Sequence, residues 1–489
     1  MSPCGREDSR RVTQPVGFFK EPRLRLSRSP DVPPGRASRG PVRRRPLPAG
    51  TSRRRRAALL GAVVLAVLAG SATPAAGQAP DDPWMTLTTE HFRITYPEPL
   101  EGLARRAADR AESAWDRLSE LFLEPPGGLT DILVTDHTDV SNGFARVTPD
   151  KRIIVFAAPP VDDPTLGFFD DWMELVITHE VVHIFHLDRP GLLGRVLRSV
   201  FGRVPGRWPF FPGFDTPRWF IEGIATWYES RLTESGRVHG TFHDAILRTA
   251  LLEGRFEAVG QASGRSPVWP DGTRAYVYGG HFFEHLLAKH GEEKMAAFAE
   301  AVAGQWIPYR LDAAARDAFG ASVSEEWEAW IEALEERWGG LEKELALLGP
   351  VTRGERLTPG SRIGLHARVG PDGRLAFSRA DGRTDPQLRV GPADAASGRE
   401  LVHTNGIATF DWLPGGDLLM SQLERTDPYR TYGDLYRVDG EDGDTRRITR
   451  GARLAQPSAF PGGRAAVAVR GGDGSTTLLR VDLATGEVT

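Results

Sequence analysis

The chain has 489 residues, 40% of them hydrophobic, enough for two or three cored domains. Its single cysteine, Cys4, excludes a disulfide within the chain. The formal net charge is −4, but residues 1–56 carry 16 Lys and Arg against 4 Asp and Glu and residues 57–79 carry none, so residues 80–489 sum to −16. An acidic body of that kind argues against nucleic acid as a partner.

Residues 1–56 form a basic segment rich in Arg, Pro, Ser and Gly, with too little apolar content for a core, and are predicted to be disordered. Residues 1–50 read either as an over-extended translation start or as a nucleic-acid-binding arm. Arg53–Arg56 precede the uncharged apolar run Ala57–Gly70, and small residues follow as far as Ala79. Charged, apolar and small-residue regions in that order predict a secretory signal peptide over 57–79, cut near Gly77 or Ala79. The run is shorter than the roughly 20 residues of a bilayer crossing, and an uncleaved anchor is the alternative. A leader of this type implies a periplasmic or secreted protein.

An α+β domain is expected over 84–348. Alternation over Thr86–Tyr96 predicts a strand, and Leu103–Leu123 an amphipathic helix with Leu103, Ala107, Ala111, Ala114, Trp115, Leu118 and Leu121 on one face. Asp131–Thr135 and Arg152–Ala158 read as further strands. A helix over 172–187 contains His179-Glu180-Val181-Val182-His183. Imidazoles four residues apart lie on one helix face and can hold one Zn²⁺. Glu180 then stands where the general base for a metal-activated water belongs. A catalytic zinc needs a third ligand and an open position, and Glu222, opening a helix to about Leu232, offers that ligand. The alternative is a buried helix whose polar groups are merely satisfied. Glu229, seven residues on, shares the face of Glu222; it reads as a carboxylate orienting a zinc ligand or as a solvated one.

Between the two helices, residues 192–201 are basic and apolar at helical spacing. A packed insertion is the preferred reading; a lid or a membrane-surface helix are the others. Helices are further expected over Phe242–Leu252, from Arg274 to His290, over Ala313–Phe319 and over Val323–Leu348, the last with Trp327, Trp330, Ile331, Leu334 and Trp338 at helical spacing.

His179-Glu180-x-x-His183 followed by Trp219-Phe220-Ile221-Glu222-Gly223-x-Ala225 resembles the gluzincin metallopeptidases, nearest the peptidase MA-like domains of bacterial envelope proteins. The resemblance covers about 84–348 and is specific at the metal. It implies a zincin-like α+β fold, Zn²⁺ held by His179, His183 and Glu222, and Glu180 as base. His186 lacks the Gly and later His of the metzincin pattern, so it reads as a core or supporting histidine, with metal ligation as the alternative. The resemblance also assigns pairing with an extended substrate to the strand at 152–158, with an interior strand as the alternative. A gluzincin-type tyrosine donor to the oxyanion is matched by Tyr276, three before Gly279, with Tyr278 as its rival.

From about Gly349 the pattern becomes repetitive. Pro371-Asp372-Gly373-Arg374 is echoed at Pro414-Gly415-Gly416-Asp417 and Pro461-Gly462-Gly463-Arg464, each before an apolar run, and a second strand recurs at Leu388, Leu435 and Leu479. Such periods indicate propeller blades, and the motif resembles TolB-type or WD40-like repeats. Residues 350–489 are thus expected to form a partial, all-β propeller of about three blades, from a truncated sequence or one closed by another chain.

The expected activity is exported, zinc-dependent hydrolysis of peptide or protein substrates, with an envelope protein as a further partner of the propeller. The alternatives are an envelope scaffold with an inactive or structural zinc domain and a zinc hydrolase acting on a non-peptide bond, since zinc and carboxylate chemistry serve both kinds of hydrolysis.

Overall fold

The computed structural model describes residue 79 and residues 81–489, except 162, 265–268, 351, 353, 355–356, 358–361 and 393–397. The basic segment and all of the expected signal peptide but Ala79 lie outside the described residues. No described helix is long and apolar enough to cross a membrane.

The N-terminal strand expectation resolves into a hairpin. β1 (Trp84–Thr88) pairs antiparallel with β2 (Phe92–Pro97), because Thr89 bonds across to the Phe92 carbonyl and the chain reverses. α1 (Glu101–Leu121) then buries its alanine-rich face, with Trp115 and Leu118, and packs on β2. β2, β3 (Thr130–Thr135) and β5 (Arg152–Phe156) run parallel, with β4 (Gly143–Arg146) antiparallel to β5. The sheet order is β1-β2-β3-β5-β4. The strand at 152–158 is therefore interior, between β3 and β4, and the substrate-edge assignment made for it is corrected: the edge is β4. Its four residues include a glycine and show too short an alternation to register in the sequence.

α2 (Trp172–Leu187) lies against β4, β5 and α1. Asp171 caps it, accepting from the Met173 and Glu174 amides at 3.0 and 3.4 Å. Nearly every residue of α2 is buried, so it carries almost no amphipathic signal. α3 (Leu192–Phe201) follows, then α4 (Arg218–Thr233), α5 (Thr241–Leu252), α6 (Arg274–His290), α7 (Glu292–Ala303), α8 (Leu311–Phe319) and α9 (Val323–Leu347). α7 has no counterpart among the expected elements. α4 and α6 cross at glycines: a Cβ on Gly279 would overlap the Trp219 carbonyl oxygen and stand 2.7 Å from Gly223 Cα. One apolar core joins sheet and helices, with Trp219, Phe220, Tyr278, Phe282, Phe298 and Trp327 at its centre.

The repeats form three antiparallel sheets in chain order. β6 (Ile363–Val369), β7 (Arg374–Ala380), β8 (Gln387–Pro392) and β9 (Arg399–His403) make the first. β10 (Thr409–Trp412), β11 (Leu418–Arg425), β12 (Thr431–Val438) and β13 (Thr445–Arg447) make the second, and β14 (Leu454–Ala459), β15 (Ala465–Gly472) and β16 (Ser475–Asp482) the third. Ala376, Leu388, Phe410, Met420 and Val438 form a core between the first two, and Leu419, Leu435, Leu454, Ala466 and Val481 one between the last two. No closed ring of sheets forms among the described residues.

These sheets dock onto the loop between β3 and β4. Arg453 reaches Asp136 with two nitrogens at 2.5 and 2.6 Å and Asp139 at 2.7 Å. The Gly433 amide donates to Asp139 and the Tyr432 hydroxyl to the Asp136 carbonyl, both at 2.8 Å. Thr138 forms a parallel bridge with Thr431. The same loop runs on through Ser141 and Asn142 into β4.

Candidate metal centre

One helical turn places His179 above His183, and the neighbouring α4 brings Glu222 to them. The two Nε2 atoms are 3.1 Å apart, and Glu222 Oε2 stands 3.7 Å from His179 Nε2 and 3.5 Å from His183 Nε2. Around a tetrahedral ion with bonds of about 2.0–2.2 Å, ligand atoms stand about 3.3–3.6 Å from one another. The observed edges of 3.1, 3.5 and 3.7 Å bracket that spacing, and these three residues form a group able to hold a metal ion. A proton on one Nε2 can bridge that short gap; a shared cation would instead satisfy both nitrogens and the carboxylate together.

The surroundings hold these three side chains in place. Glu229, fully buried, accepts from His179 Nδ1 at 2.7 Å. With its proton on Nδ1, His179 presents the Nε2 lone pair inward. Burial would raise Glu229, but the Arg237 charge and the bonds from Arg237 and His179 outweigh it and hold the carboxyl at about 2. Arg237 grips it through Nε at 2.7 Å and Nη2 at 2.5 Å. Burial likewise opposes ionisation of Glu222, yet the two imidazoles hold it well below the usual carboxylate range. His186 is buried against Phe220, with ring centres 5.1 Å apart, and burial pushes it down to about 3. It stands outside the ligand group.

The three ligands line a cleft of about 620 Å³, walled on one side by Ser141–Ala145 and on the other by Arg218, Ile221 and Tyr276. Glu180 faces it, its Oε2 without a hydrogen-bond partner among the described residues and its carboxyl raised mainly by burial. A Cβ on Gly143 would come within 2.9 Å of Glu180 Oε1 and 2.5 Å of Val176 Cγ2, so only glycine lets β4 approach this closely. Tyr276 lines the cleft; its hydroxyl accepts from Arg218 Nη2 at 3.4 Å, and Arg218 Nε also reaches Glu222 Oε1 at 3.4 Å. Burial, then the Glu222 charge, pushes the Tyr276 hydroxyl up to about 12. Tyr278, two residues on, points the other way. It is fully buried, stacked on Trp327 with centres 6.1 Å apart, and accepts from the Glu257 amide at 3.3 Å. The cleft thus holds one of the two candidate tyrosines.

Sequence reasoning missed Gly143, Arg218, Arg237 and His243. Arg218 had a signal, four residues before Glu222 on the same helix face. Arg237 comes from the loop after α4 and had none. His243 on α5 lines the cleft, and neither of its ring nitrogens has a hydrogen-bond partner among the described residues.

No family model matches the chain. A protein of uncharacterised function from Treponema pallidum (strain Nichols) is 26% identical over 260 residues, covering 51% of this chain and 21% of that protein. The chain thus spans about a fifth of the length of the curated relative it matches. Among solved structures, yeast LTA4 hydrolase aligns over 52% of this chain and 38% of its own at 13% identity and a TM-score of 0.32. Legionella pneumophila aminopeptidase A aligns over 75% and 36% at 15% identity and 0.31. TolB from Acinetobacter baumannii aligns over 27% and 32% at 20% identity and 0.23. Likenesses this partial transfer neither fold nor activity.

Proposed function

We propose that the chain is an exported zinc-dependent peptidase of zincin-like fold, with His179, His183 and Glu222 as ligands and Glu180 as general base. The observation that carries this reading is the His-His-Glu triangle opening on a cleft beside an unpartnered buried carboxylate. A zinc ion bound there supplies Lewis acidity toward a carbonyl oxygen and lowers the pKa of water. Glu180 Oε2, desolvated and free, takes a proton from the attacking water and passes it to the departing amine nitrogen. The Tyr276 hydroxyl, protonated at neutral pH, donates to the oxygen that gains charge, worth a few kcal/mol in sites of this kind. β4, the sheet edge on the cleft wall, pairs with an extended peptide backbone. Arg218 restrains Glu222 and Tyr276 together. Export rests on the leader pattern at 53–79, and the three sheets read as part of a propeller that presents substrate or docks an envelope partner.

The test is metal analysis of the purified protein joined to a peptide-library cleavage assay with and without chelator. About one zinc per chain, and cleavage abolished by chelator and by Glu180→Gln with zinc retained, is the expected result. A zinc-loaded protein that cleaves no peptide would favour the scaffold alternative.

A further inference from the structure

α3 was expected to be a packed insertion, and one side of it is. Gly194 is buried, and a Cβ there would overlap the Pro209 carbonyl oxygen. Arg198 and Arg203 tie α3 and the turn after it to Asp188 at the end of α2, each at 2.9 Å. The other side faces solvent. Leu192, Val196 and Val200 recur at i, i+4 and i+8 on that face, and Phe201 and Val204 extend it. A second segment stands beside it: Leu192 and Leu193 share a crevice with Gln305 and Trp306, and Trp208 Nε1 donates to the Gln305 carbonyl at 3.0 Å. Trp306, Ile307 and Tyr309 of this segment also face solvent. These eight large apolar side chains are 39% to 73% exposed. Soluble surfaces show such residues singly, and a cluster of this size marks an interaction site.

Its charge selects the occupant. Residues 189–210 contain five arginines and no Asp, Glu or Lys, within a body whose formal charge is −16. Arg189, Arg198 and Arg203 are engaged in ion pairs with Glu300, Glu124 and Asp188. Arg195 flanks the apolar stripe and Arg310 follows Tyr309; both are exposed, and neither has an ion pair among the described residues. Arg207, 68% exposed, holds Asp215 only at 3.3 Å. Aromatic and aliphatic side chains rimmed by arginine match a bilayer whose headgroups are anionic. A symmetric contact between two copies would bring the same basic patch together from both sides.

We propose that α3 and residues 304–310 seat the protein on an anionic lipid surface, its apolar side chains entering the headgroup boundary and Arg195, Arg207 and Arg310 meeting lipid phosphates. The seat starts five residues beyond Leu187 of the cleft, which places peptide hydrolysis next to the membrane; only that last consequence rests on the peptidase reading. The experiment uses the full chain, wild type and Val196→Glu/Val200→Glu, in vesicle flotation with pure phosphatidylcholine and with phosphatidylglycerol added. Zinc content and thermal unfolding serve as fold controls, since both valines are exposed. Wild type should float with the anionic vesicles, and the double variant should lose at least about tenfold in partitioning while its zinc and unfolding stay unchanged. Equal flotation of the two proteins would show that α3 does not carry the binding and overturn the proposal. So would a wild-type dimer that fails to float and that the variant converts to monomer. Peptidase activity does not enter the readout, so its absence would leave the lipid result standing.

Discussion

Glu229→Gln separates what holds the metal site together from what binds the metal. Glu229 is wholly buried and serves two partners, accepting from Arg237 Nε and Nη2 and from His179 Nδ1. Glutamine keeps the shape but removes the charge and offers a single acceptor oxygen. Arg237, itself buried, then lacks its counter-charge, and breaking such a pair costs about 3–5 kcal/mol of stability. The bond that sets the His179 tautomer weakens at the same time, and loss of an orienting carboxylate costs about 10–100-fold in metal affinity, or roughly 1.4–2.7 kcal/mol. The two losses part company in Glu229→Gln/Arg237→Met, which removes the stranded charge. Urea unfolding of the metal-free proteins should show most of the stability restored in the double variant. Zinc competition against a chromophoric chelator should show affinity still reduced in both variants. Wild-type affinity in Glu229→Gln would refute the orienting role. Recovered affinity in the double variant would show that the Arg237 charge, not the missing bond to His179, had weakened the site.

Tyr276→Phe should lower turnover by about 10²-fold or more with KM little changed, whereas Tyr278→Phe should leave turnover near wild type, as steady-state kinetics on a cleaved peptide would show. Gly279→Ala should destabilise by about 1–3 kcal/mol or more, because its methyl overlaps the backbone of α4. Gly340→Ala in α9 meets nothing within 4 Å among the described residues and should stabilise by about 0.5–1 kcal/mol; thermal unfolding reads both, and equal shifts would remove the crossing as the cause. Stripping the metal should lower the melting temperature while leaving the far-ultraviolet circular dichroism intact, since the large apolar core does not depend on the ion; at a metal concentration of 100 Kd the ion contributes about 2.7 kcal/mol.

That His179, His183 and Glu222 meet was legible: imidazoles four apart define a face even where the helix is buried all round and shows no amphipathic period, and the motif around Glu222 predicted it beside them. The choice between Tyr276 and Tyr278 was not: two residues apart on a helix they face nearly opposite directions, and only the packing of α6 on α4 decides which meets the cleft. Arg237 and Gly143 come from a loop and a four-residue strand, where no period exists to count. The sheet edge was misplaced for the same reason, since the apolar strand at 152–156 is apolar because it is interior. The repeats showed through as turn glycines with the strands beside them, while β6, β9, β10, β13 and β14 went unread; of these β10 and β13, at four and three residues, are too short for an alternation to register. α3 misled by composition: apolar residues at helical spacing predict a buried face, and here that face is open.

The loop that leads into the cleft wall is clasped by Arg453, more than 300 residues later in the chain. A fragment ending near residue 348 would keep all three ligands and Glu180, yet leave Asp136 and Asp139 with no cation between them at the root of β4. Metal loading and peptide capture would then answer to different parts of the polypeptide. A shortened protein that takes up zinc normally but processes substrate poorly would be reporting a missing strut, not a defective catalyst.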